Sequence, residues 1–541
     1  MLDKNTMLPR VHCHQSRKDH LMGKNKSCTK CQYNAQDQNN MIECVCHKTD
    51  ILIRPAEFEE SCFIFDMVEN QYKINSTKIL SLRELVTEVI YPFDTNYDFY
   101  RLNFNHRFNI YPLAIVRAHK VEDIVNTIMF CRETGIPLRA RGGGHCYQPA
   151  SLVNFGIVLD QRPLDGIVKI DWNDSTVQIQ AGALLGPIVK ELAAKNLLIP
   201  TGTCVTNGLA GLALGGGIGF ALRQYGLTLD QLVSMKVVLA DGSIVDANKE
   251  ENCDLFWALR GAGGGNFGIV TDFIFKYHYI NWVTIFTMNF NFDDAKKVIN
   301  QWQQWAPFTD FKLSSELDVF NKYQPIIVTG QLLPGKCPKL DKAKLYNLIK
   351  CLIDLGIHTD ISVKTVNLTE SYRYFGQGSY ARPLFFYNQS DFSFEPLSEQ
   401  AINTIIYHMS LLDKTQSHHK TEINALGGHF GEIKSDETAF VSRSAICWLQ
   451  YTSLWDTSDQ EEPNTLWLKN YYRAMRPFFP LNRKYVNALD YDQSPIHALK
   501  SYYGSNLLNL IKIKEKYDPT NLFCWTQSVP TIESFDQLIK N

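Results

Sequence analysis

The sequence predicts an α+β protein with two structurally different parts. Over residues 105–278, short apolar runs rich in β-branched residues alternate with stripes of helical period, which is typical of mixed strands and helices. Residues 279–485 are richer in aromatic residues and poorer in glycine. Their alternating runs, such as 326–333 and 445–454, are typical of an antiparallel sheet. We therefore expect a glycine-rich α+β domain, followed by a second α+β domain built on an antiparallel sheet.

Local patterns predict the individual elements. A helical stripe of apolar residues predicts a helix over 121–133, and Asp241-Gly242 between two apolar runs predicts a hairpin turn. The Ser81-x-x-Glu84 capping pattern predicts a helix from residue 81 to residue 89. Further strands are expected at 113–117, 137–141, 157–159, 167–170, 176–181, 232–239, 244–246 and 269–275, and further helices at 184–195, 256–260 and 506–516.

Composition divides the chain into five segments and limits its partners. The 45% of hydrophobic residues is enough for packed cores, and the formal net charge of -2 argues against nucleic acid and favours a small-molecule substrate. The oligomeric state is not predicted. The segments are a Cys/His-rich polar segment (1–60), a lead-in (61–104), the glycine-rich domain (105–278), a second α+β domain (279–485) and a C-terminal segment (486–541).

Residues 196–222 carry no charge and are long enough to span a bilayer. They contain Pro200 and seven glycines, however, and glycine costs a helix about 0.8–1 kcal/mol relative to alanine. We therefore expect no membrane segment. The polar N-terminus has no apolar signal segment, so a cytoplasmic location is the default expectation.

The N-terminal cysteines leave two interpretations open. Cys28-x-x-Cys31 and Cys44-x-Cys46 could form a tetrahedral zinc site, and residues 1–50 would then be a metal-dependent binding module. The spacing of the second pair is irregular for such a site. A polar tail with free thiols is the favoured interpretation, and no metal site is predicted.

Two glycine-rich stretches point to a phosphate-bearing ligand. One is Arg141-Gly142-Gly143-Gly144-His145, directly after a predicted strand, and the other runs from Gly202-Thr-Cys204 to Gly219. Without a Cβ, the backbone N–H groups of such loops can approach a pyrophosphate closely. Gly263-x-Gly265-x-x-Gly268 matches a dinucleotide fingerprint, but it follows a predicted helix and precedes a strand, so NAD binding through it is not expected.

Several motifs in the same order resemble the berberine bridge enzyme-like FAD-linked oxidases of the vanillyl-alcohol-oxidase superfamily. The resemblance covers residues 105–535. It rests on the two glycine stretches, Arg223-Gln-Tyr-Gly-Leu-Thr-Leu-Asp230, Asp254-Leu-Phe-Trp-Ala-Leu-Arg-Gly261, Gly264-Gly-Asn-Phe-Gly268 and Tyr517-Asp-Pro-Thr-Asn-Leu-Phe523. It implies a PCMH-type FAD-binding domain over 105–278 and a substrate domain with an antiparallel sheet over 279–485. It also implies a C-terminal segment (486–541) that returns to the FAD-binding domain, and a covalently bound FAD.

The resemblance also implies the residues that hold the cofactor. His145 would bond to the 8α-methyl group of the flavin and Cys204 to its C6, as in the members that carry two linkages. The flavin would then take a hydride at N5 from a C–H bond of an alcohol, a sugar or an amine, and O2 or another acceptor would reoxidise it. The other expected cofactor contacts are Arg141, Gly142, Gly143, Gly144, Gly202, Gly208, Gly211, Gly215, Gly216, Gly217, Gly268, Ile269 and Asn487.

The substrate side departs from the family pattern. Tyr485-Val-Asn487-Ala488-Leu-Asp490 is similar to the family's Tyr-x-Asn-Tyr-x-Asp, but Ala488 replaces the second tyrosine, which is the base in some members. Tyr485, Asp490 or Tyr491 would have to replace it as the proton acceptor. Gln450 matches a position that lines the family's substrate pocket. Ordinary packing of Tyr485 and Gln450, and a flavin-binding structural or coat component without turnover, remain the alternatives.

Overall fold

The computed structural model describes residues 55–376, 384–416 and 418–540, with side chains from Ile64 onward, and the short strands β1 (Cys44–Val45) and β2 (Leu52–Ile53). The chain divides into two compact units, residues 1–81 and 82–541. The first unit contains α1 (Pro55–Tyr72) and α2 (Ser76–Leu80). Apart from the backbone of β1, the cysteines of the zinc hypothesis lie outside the described residues.

The second unit begins with a four-stranded sheet in the order β3-β4-β6-β5. Strands β4 and β5 run parallel to β6, whereas β3 is antiparallel to β4. The helix predicted from residue 81 to residue 89 is wrong beyond residue 85, because Val89 and Ile90 pair with β4 instead. The elements are α3 (Leu82–Leu85), β3 (Val89–Ile90), α4 (Tyr97–Arg101), β4 (Ala114–Arg117), α5 (Val121–Thr134), β5 (Leu138–Arg141) and β6 (Ile157–Asp160).

A five-stranded antiparallel sheet follows, in the order β11-β10-β12-β8-β7. The hairpin turn predicted at Asp241-Gly242 is confirmed, and Gly242 has the positive φ of +83° that the turn requires. The elements are β7 (Ile167–Asp171), β8 (Thr176–Gln180), α6 (Leu185–Ala193), β9 (Leu197–Leu198), α7 (Leu209–Gly215), α8 (Leu222–Tyr225), β10 (Leu232–Val238), β11 (Ile244–Asn248), α9 (Cys253–Ala262), β12 (Ile269–Lys276) and β13 (His278–Tyr279).

The predicted antiparallel sheet of the substrate domain is confirmed, with seven strands in the order β17-β14-β16-β15-β19-β20-β18. Side chains alternate along each strand between its two faces. One face packs in an apolar core with helices, and the other carries the polar residues of the site below. The elements are β14 (Val283–Phe290), α10 (Ala295–Trp305), β15 (Leu313–Val319), β16 (Ile326–Leu332), α11 (Pro338–Leu348), α12 (Lys350–Ile353), β17 (His358–Val366), α13 (Leu368–Gly376), β18 (Phe385–Ser393), α14 (Glu399–Ser410), β19 (Lys420–Ala425), α15 (His429–Glu432), β20 (Cys447–Trp455) and α16 (Glu461–Met475).

The C-terminal segment packs against the glycine-rich part of the chain. Its helices are α17 (Pro495–Tyr503), α18 (Leu507–Tyr517) and α19 (Ile532–Lys540). Leu510 and Val529 of this segment belong to the same apolar core as Phe256 and Phe273. Among the described residues, no helix has the length and apolar character needed to cross a membrane. The uncharged stretch 196–222 folds instead as the short elements β9 and α7, joined by glycine-containing loops, and ends where α8 begins.

Candidate active site

One large cavity, of about 750 Å³, lies between the glycine loops and the polar face of the seven-stranded sheet. Both glycine stretches contribute to its wall, and the segment after the seven-stranded sheet contributes Tyr485, Asn487 and Trp525. The expected cofactor residues found in the lining are Gly142, Gly143, Gly144, His145, Gly202, Cys204, Gly208, Gly211, Gly215 and Asn487. The structure therefore brings most of the expected cofactor contacts to a single site.

The two glycine loops are in direct backbone contact. A Cβ on Gly143 would lie 2.3 Å from the backbone nitrogen of Gly208, and a Cβ on Gly208 would lie 2.1 Å from the backbone nitrogen of Gly143. No side chain can be accommodated at such distances, because the atoms in the way belong to backbone that cannot rotate aside. These two glycines thus allow the loops to pack against each other in the wall of the cavity.

Other glycines leave open space for a ligand. An added Cβ on Gly211, Gly264 or Gly265 would have no atom of the protein within 4 Å, and all three positions line the cavity. Gly264 and Gly265 were not among the expected cofactor contacts, although Gly264-Gly-Asn-Phe-Gly268 is one of the motifs that carry the family resemblance. Two expected contacts, Gly268 and Ile269, are absent from the lining, and a Cβ on Gly268 would meet Val237 Cγ1 at 2.7 Å.

His145 is held as a neutral imidazole in the wall of the cavity. Its ring stacks on Phe104, with the ring centroids 3.9 Å apart and an interplanar angle of 21°. Burial lowers the pKa of His145 to about 4, so the ring carries a free nitrogen lone pair at neutral pH. Arg141, four residues earlier, is fully buried and paired with Asp160 at 2.9 Å, outside the cavity lining.

Cys204 lies in the second loop, at the same cavity. Its sulfur is 3.4 Å from Thr206 Oγ1. The Tyr147 hydroxyl lies close to Cys204 and to Glu422. Burial raises the pKa of Tyr147, and these two neighbouring groups raise it further. Tyr147, Cys204 and Glu422 all line the cavity.

Tyr485 is fixed by hydrogen bonds rather than free in the cavity. Its hydroxyl oxygen accepts the N–H of Gly217 at 2.8 Å and Asn487 Nδ2 at 3.0 Å, and burial raises its pKa to about 12. Gly216 and Gly217 are outside the lining, and a Cβ on Gly216 would lie 2.8 Å from the Tyr485 ring. Gly215 is similarly close to Asn487, since a Cβ added to Gly215 would lie 2.1 Å from Asn487 Oδ1.

Asp490 and Tyr491 are placed behind the cavity wall and are absent from its lining. The Asp490 carboxylate accepts Gln389 Nε2 and Gln493 Nε2, each at 2.9 Å, and lies 3.4 Å from Lys484 Nζ. Burial raises the pKa of Asp490, but Lys484 and these amides outweigh it, so the carboxyl stays ionised. Burial likewise raises the pKa of Tyr491.

Gln450 lines the cavity beside a group of charged residues that sequence reasoning missed. The carboxylate cluster, defined as Glu316, Asp318 and Glu422, has one oxygen from each residue within 4.8 Å of the others. Lys420 Nζ lies 3.0 Å from Asp318 and 2.6 Å from Glu422. The signal for the cluster was the spacing of two residues within β15 and β19, which places alternate side chains on one sheet face.

Comparison with known proteins identifies the family. The profile of the FAD binding domain matches residues 112–248, and that of the "Berberine and berberine like" family matches residues 484–530. The FAD-linked oxidoreductase YgaK of Bacillus subtilis (strain 168) is 34% identical over 444 residues, which cover 81% of this chain and 96% of the relative. The chain belongs to the berberine bridge enzyme-like FAD-linked oxidoreductases.

Solved structures of the berberine bridge enzyme-like family have the same fold. Physcomitrella patens BBE-like 1 is similar with a TM-score of 0.76 and 27% identity, covering 84% of this chain and 99% of that chain. Glucooligosaccharide oxidase from Acremonium strictum, which carries a 6-S-cysteinyl, 8α-N1-histidyl FAD, has the same TM-score, identity and coverage. The structure thus confirms the α+β fold with FAD-domain sheets and an antiparallel substrate-domain sheet.

The residues of the cavity fit FAD. Gly211, Gly264 and Gly265 leave space that a Cβ would fill, next to loops whose backbone N–H groups suit a pyrophosphate. The neutral imidazole of His145 and the thiol of Cys204 are suitable nucleophiles at the same cavity. The protein's contribution is to place and orient the cofactor, which supplies the redox chemistry.

Proposed function

We propose that this chain oxidises a small organic substrate at a C–H bond next to oxygen or nitrogen, with FAD attached to both His145 and Cys204. The observation that supports the proposal is that these two side chains line one cavity with the polar face of the substrate-domain sheet. When bound, the flavin would accept a hydride at N5. The doubly linked FAD of the Acremonium strictum oxidase is consistent with this proposal.

His145 is proposed to form the first linkage because its imidazole is neutral. With a pKa of about 4, the ring is deprotonated at physiological pH, and a lone pair on one nitrogen is available for bonding to carbon. The stack on Phe104 fixes the ring plane, so little rotational freedom is lost when the bond forms. Cys204 is proposed to form the second linkage.

On the substrate side, we propose that Gln450 contacts the substrate, whereas Tyr485, Asp490 and Tyr491 position the wall of the cavity. The Tyr485 hydroxyl keeps its proton, since burial raises its pKa to about 12, and Asp490 is absent from the cavity lining. Ala488 replaces the tyrosine that is the base in some family members, so another residue must accept the substrate proton. We assign this role to Glu422, which lines the cavity. Burial raises the pKa of Glu422, but Lys420 outweighs it and keeps the carboxyl ionised.

The linkages are tested by mass spectrometry of protease fragments from the purified protein. We expect residues 145 and 204 to be joined through one flavin, and a yellow fluorescent band that survives denaturing electrophoresis. His145→Ala and Cys204→Ala should each leave one linkage, and Cys146→Ser, at a neighbouring thiol that is not proposed to bond, should retain both. Unmodified peptides from a preparation that releases its flavin on denaturation would contradict covalent attachment.

Turnover is tested separately with the flavin-loaded protein. Under anaerobic conditions a panel of alcohols, sugars and amines should include substrates that bleach the flavin absorbance, and air should restore it with release of H2O2. Reoxidation only by an added dye would identify another electron acceptor. Bound flavin that no member of the panel reduces would favour the alternative role as a flavin-binding structural component.

A further inference from the structure

The imidazole ring of His145 is oriented by stacking alone. Its centroid lies 3.9 Å from that of the Phe104 ring, and the two ring planes are inclined by 21°. Within the part of the chain that the structure describes, neither ring nitrogen of His145 makes a hydrogen bond. Such a bond is the usual way in which a protein fixes the tautomer and the plane of a functional imidazole. The direction in which the His145 nitrogens face therefore depends on Phe104.

Phe104 is itself held between two parts of the chain. Its N–H donates to the Gly144 carbonyl at 2.9 Å, and its carbonyl accepts the N–H of Leu384 at 3.0 Å. Its ring also packs against that of Phe386, with the centroids 6.0 Å apart. Gly144 directly precedes His145, and Leu384 directly precedes strand β18. Phe104 thus connects the loop that carries His145 to the substrate-domain sheet.

Asn105 makes the same connection through its side chain, which is only 1% exposed. Its Nδ2 donates to the carbonyl oxygens of Tyr147 at 2.9 Å and Phe386 at 3.1 Å. Its Oδ1 accepts the N–H groups of Phe386 at 3.4 Å and Arg107 at 3.2 Å. Because breaking any of these bonds would leave a buried polar group unsatisfied, the amide has a well-defined position. Asn105 therefore fixes its chain neighbour Phe104 relative to the backbone two residues after His145.

Cys204, the other proposed attachment residue, lies outside these contacts. Its sulfur is 3.4 Å from Thr206 Oγ1, in its own loop. The hydrogen bonds and ring contacts of Phe104 and Asn105 go to residues 107, 144–147 and 384–386. In the described chain, none of them goes to residues 202–208. Changes at Phe104 should therefore act on His145 and leave Cys204 in place.

We propose that Phe104 and Asn105 form an attachment clamp that orients His145, so that the flavin linkage at residue 145, unlike that at residue 204, depends on them. Both residues precede residue 112, at which the match to the FAD binding domain begins. The inference rests on the proposed function, because it concerns how one of the two proposed linkages forms. Phe104 and Asn105 are positioning residues and do not react themselves.

The bond that the clamp prepares is an oxidative one, and O2 is the oxidant. One C–H bond of the 8α-methyl group and the N–H bond of the imidazole break, and one C–N bond forms. The two hydrogens and the two electrons pass to O2, which becomes H2O2. Because the nitrogen lone pair must face the methyl carbon, a misaligned imidazole ring slows this step even when the cofactor is bound.

The test is peptide mass spectrometry of the full-length protein expressed with excess riboflavin, with the flavin-bearing fractions at residues 145 and 204 measured separately. The wild type should carry flavin at both. Phe104→Leu, which keeps an apolar side chain but has no ring to stack, should lower the fraction at 145 by about fivefold or more and that at 204 by less than about twofold. Phe104→Tyr keeps the ring and should retain both linkages. Phe99→Leu, at a ring that is 74% exposed, is the matched control and should change neither.

A second measurement isolates the linkage at residue 145. Cys204→Ala removes the other attachment residue, so this variant should keep its fluorescent band on denaturing electrophoresis through His145 alone. Adding Phe104→Leu to Cys204→Ala should release most of the flavin on denaturation. Neither measurement depends on turnover of a substrate.

Full linkage at residue 145 in Phe104→Leu would overturn the inference, and so would equal losses at residues 145 and 204, which would indicate weaker cofactor binding in general. A loss in Phe104→Tyr as large as that in Phe104→Leu would also overturn it. Should Phe104→Leu fail to fold, Asn105→Ser provides the second variant and should lower the fraction at 145 by about threefold. A wild type without flavin at residue 145 would overturn the proposed linkage and this inference together, whereas the variants of a doubly linked wild type decide the inference alone.

Discussion

The Lys514 ammonium lies 2.7 Å from the Asp518 carboxylate, and both side chains are wholly buried. Lys514 Nζ also donates to the carbonyl oxygens of Asn266 and Phe523, at 2.7 Å each, and Asp518 accepts the backbone N–H groups of Leu522 and Phe523. Because Asn266 lines the cavity, this ion pair joins the C-terminal segment to the cavity wall.

Replacing one partner of this pair should be strongly destabilising. Lys514→Met leaves the Asp518 charge buried without a cation, so the free energy of unfolding should fall by about 3–5 kcal/mol, as measured by urea denaturation. Lys516→Met, on the same helix but 58% exposed and paired with Asp254, is the control and should cost less than about 1 kcal/mol. Equal losses for the two variants would show that the buried pair has no special role.

Tyr485→Phe separates a positioning role from a catalytic one. Loss of the hydroxyl leaves the Gly217 N–H without its acceptor and Asn487 Nδ2 with only the Leu212 carbonyl, so the free energy of unfolding should fall by about 1–3 kcal/mol. The rate of flavin reduction should fall less than about tenfold, because the substrate proton is assigned to another group. Tyr407→Phe, at an exposed ring, should change neither quantity. A hundredfold slower reduction at unchanged stability would instead identify Tyr485 as the base.

Two glycine variants should distinguish loop packing from cofactor space. Gly208→Ala places a Cβ 2.1 Å from the Gly143 nitrogen, so the protein should be destabilised by several kcal/mol even without flavin, as measured by thermal unfolding. Gly264→Ala meets no atom of the protein within 4 Å and should leave flavin-free stability nearly unchanged. It should nevertheless lower the flavin content, since the methyl group enters the cavity. Full flavin loading of Gly264→Ala would place the cofactor elsewhere.

His419 should make stability depend on pH between about 4 and 6.5. It is 1% exposed, and burial lowers its pKa to about 4, although the hydrogen bond to Asn464 at 2.8 Å acts in the opposite direction. In this range the unfolded chain binds a proton that the folded chain does not, so stability falls as the pH falls. The contribution between pH 7 and pH 5 is about 2 kcal/mol.

His419→Gln tests this prediction, because glutamine can hydrogen-bond but does not titrate. Urea denaturation at pH 7 and at pH 5 should show a loss of stability that is smaller in the variant by about 2 kcal/mol. The variant is expected to be less stable at pH 7, so the difference between the two pH values is the relevant quantity. An unchanged difference would mean that the folded chain binds the proton as readily as the unfolded chain.

Local patterns were sufficient where one element dictates its own structure. The stripe beginning at Val121 gave helix α5, and Asp241-Gly242 gave the hairpin turn, because period and turn chemistry depend on neighbours in sequence. The helix expected from residue 81 to residue 89 failed for the opposite reason. Val89 and Ile90 pair with β4, and such a distant partner is not visible in a local capping pattern.

For the candidate site, the sequence by itself determined the family, the FAD-binding loops and the residue types available at them, since glycine runs and a following His or Cys are local motifs. Only the tertiary structure decided which side chains share the cavity. Asp490 ends the Tyr485–Asp490 motif and Tyr491 follows it, yet both are absent from the cavity lining, whereas Glu316, Asp318 and Glu422 line it from two strands about a hundred residues apart. The physical reason is that strand register and strand order bring side chains that are far apart in the sequence to one face of the sheet. The spacing of residues along the sequence encodes neither the register nor the strand order.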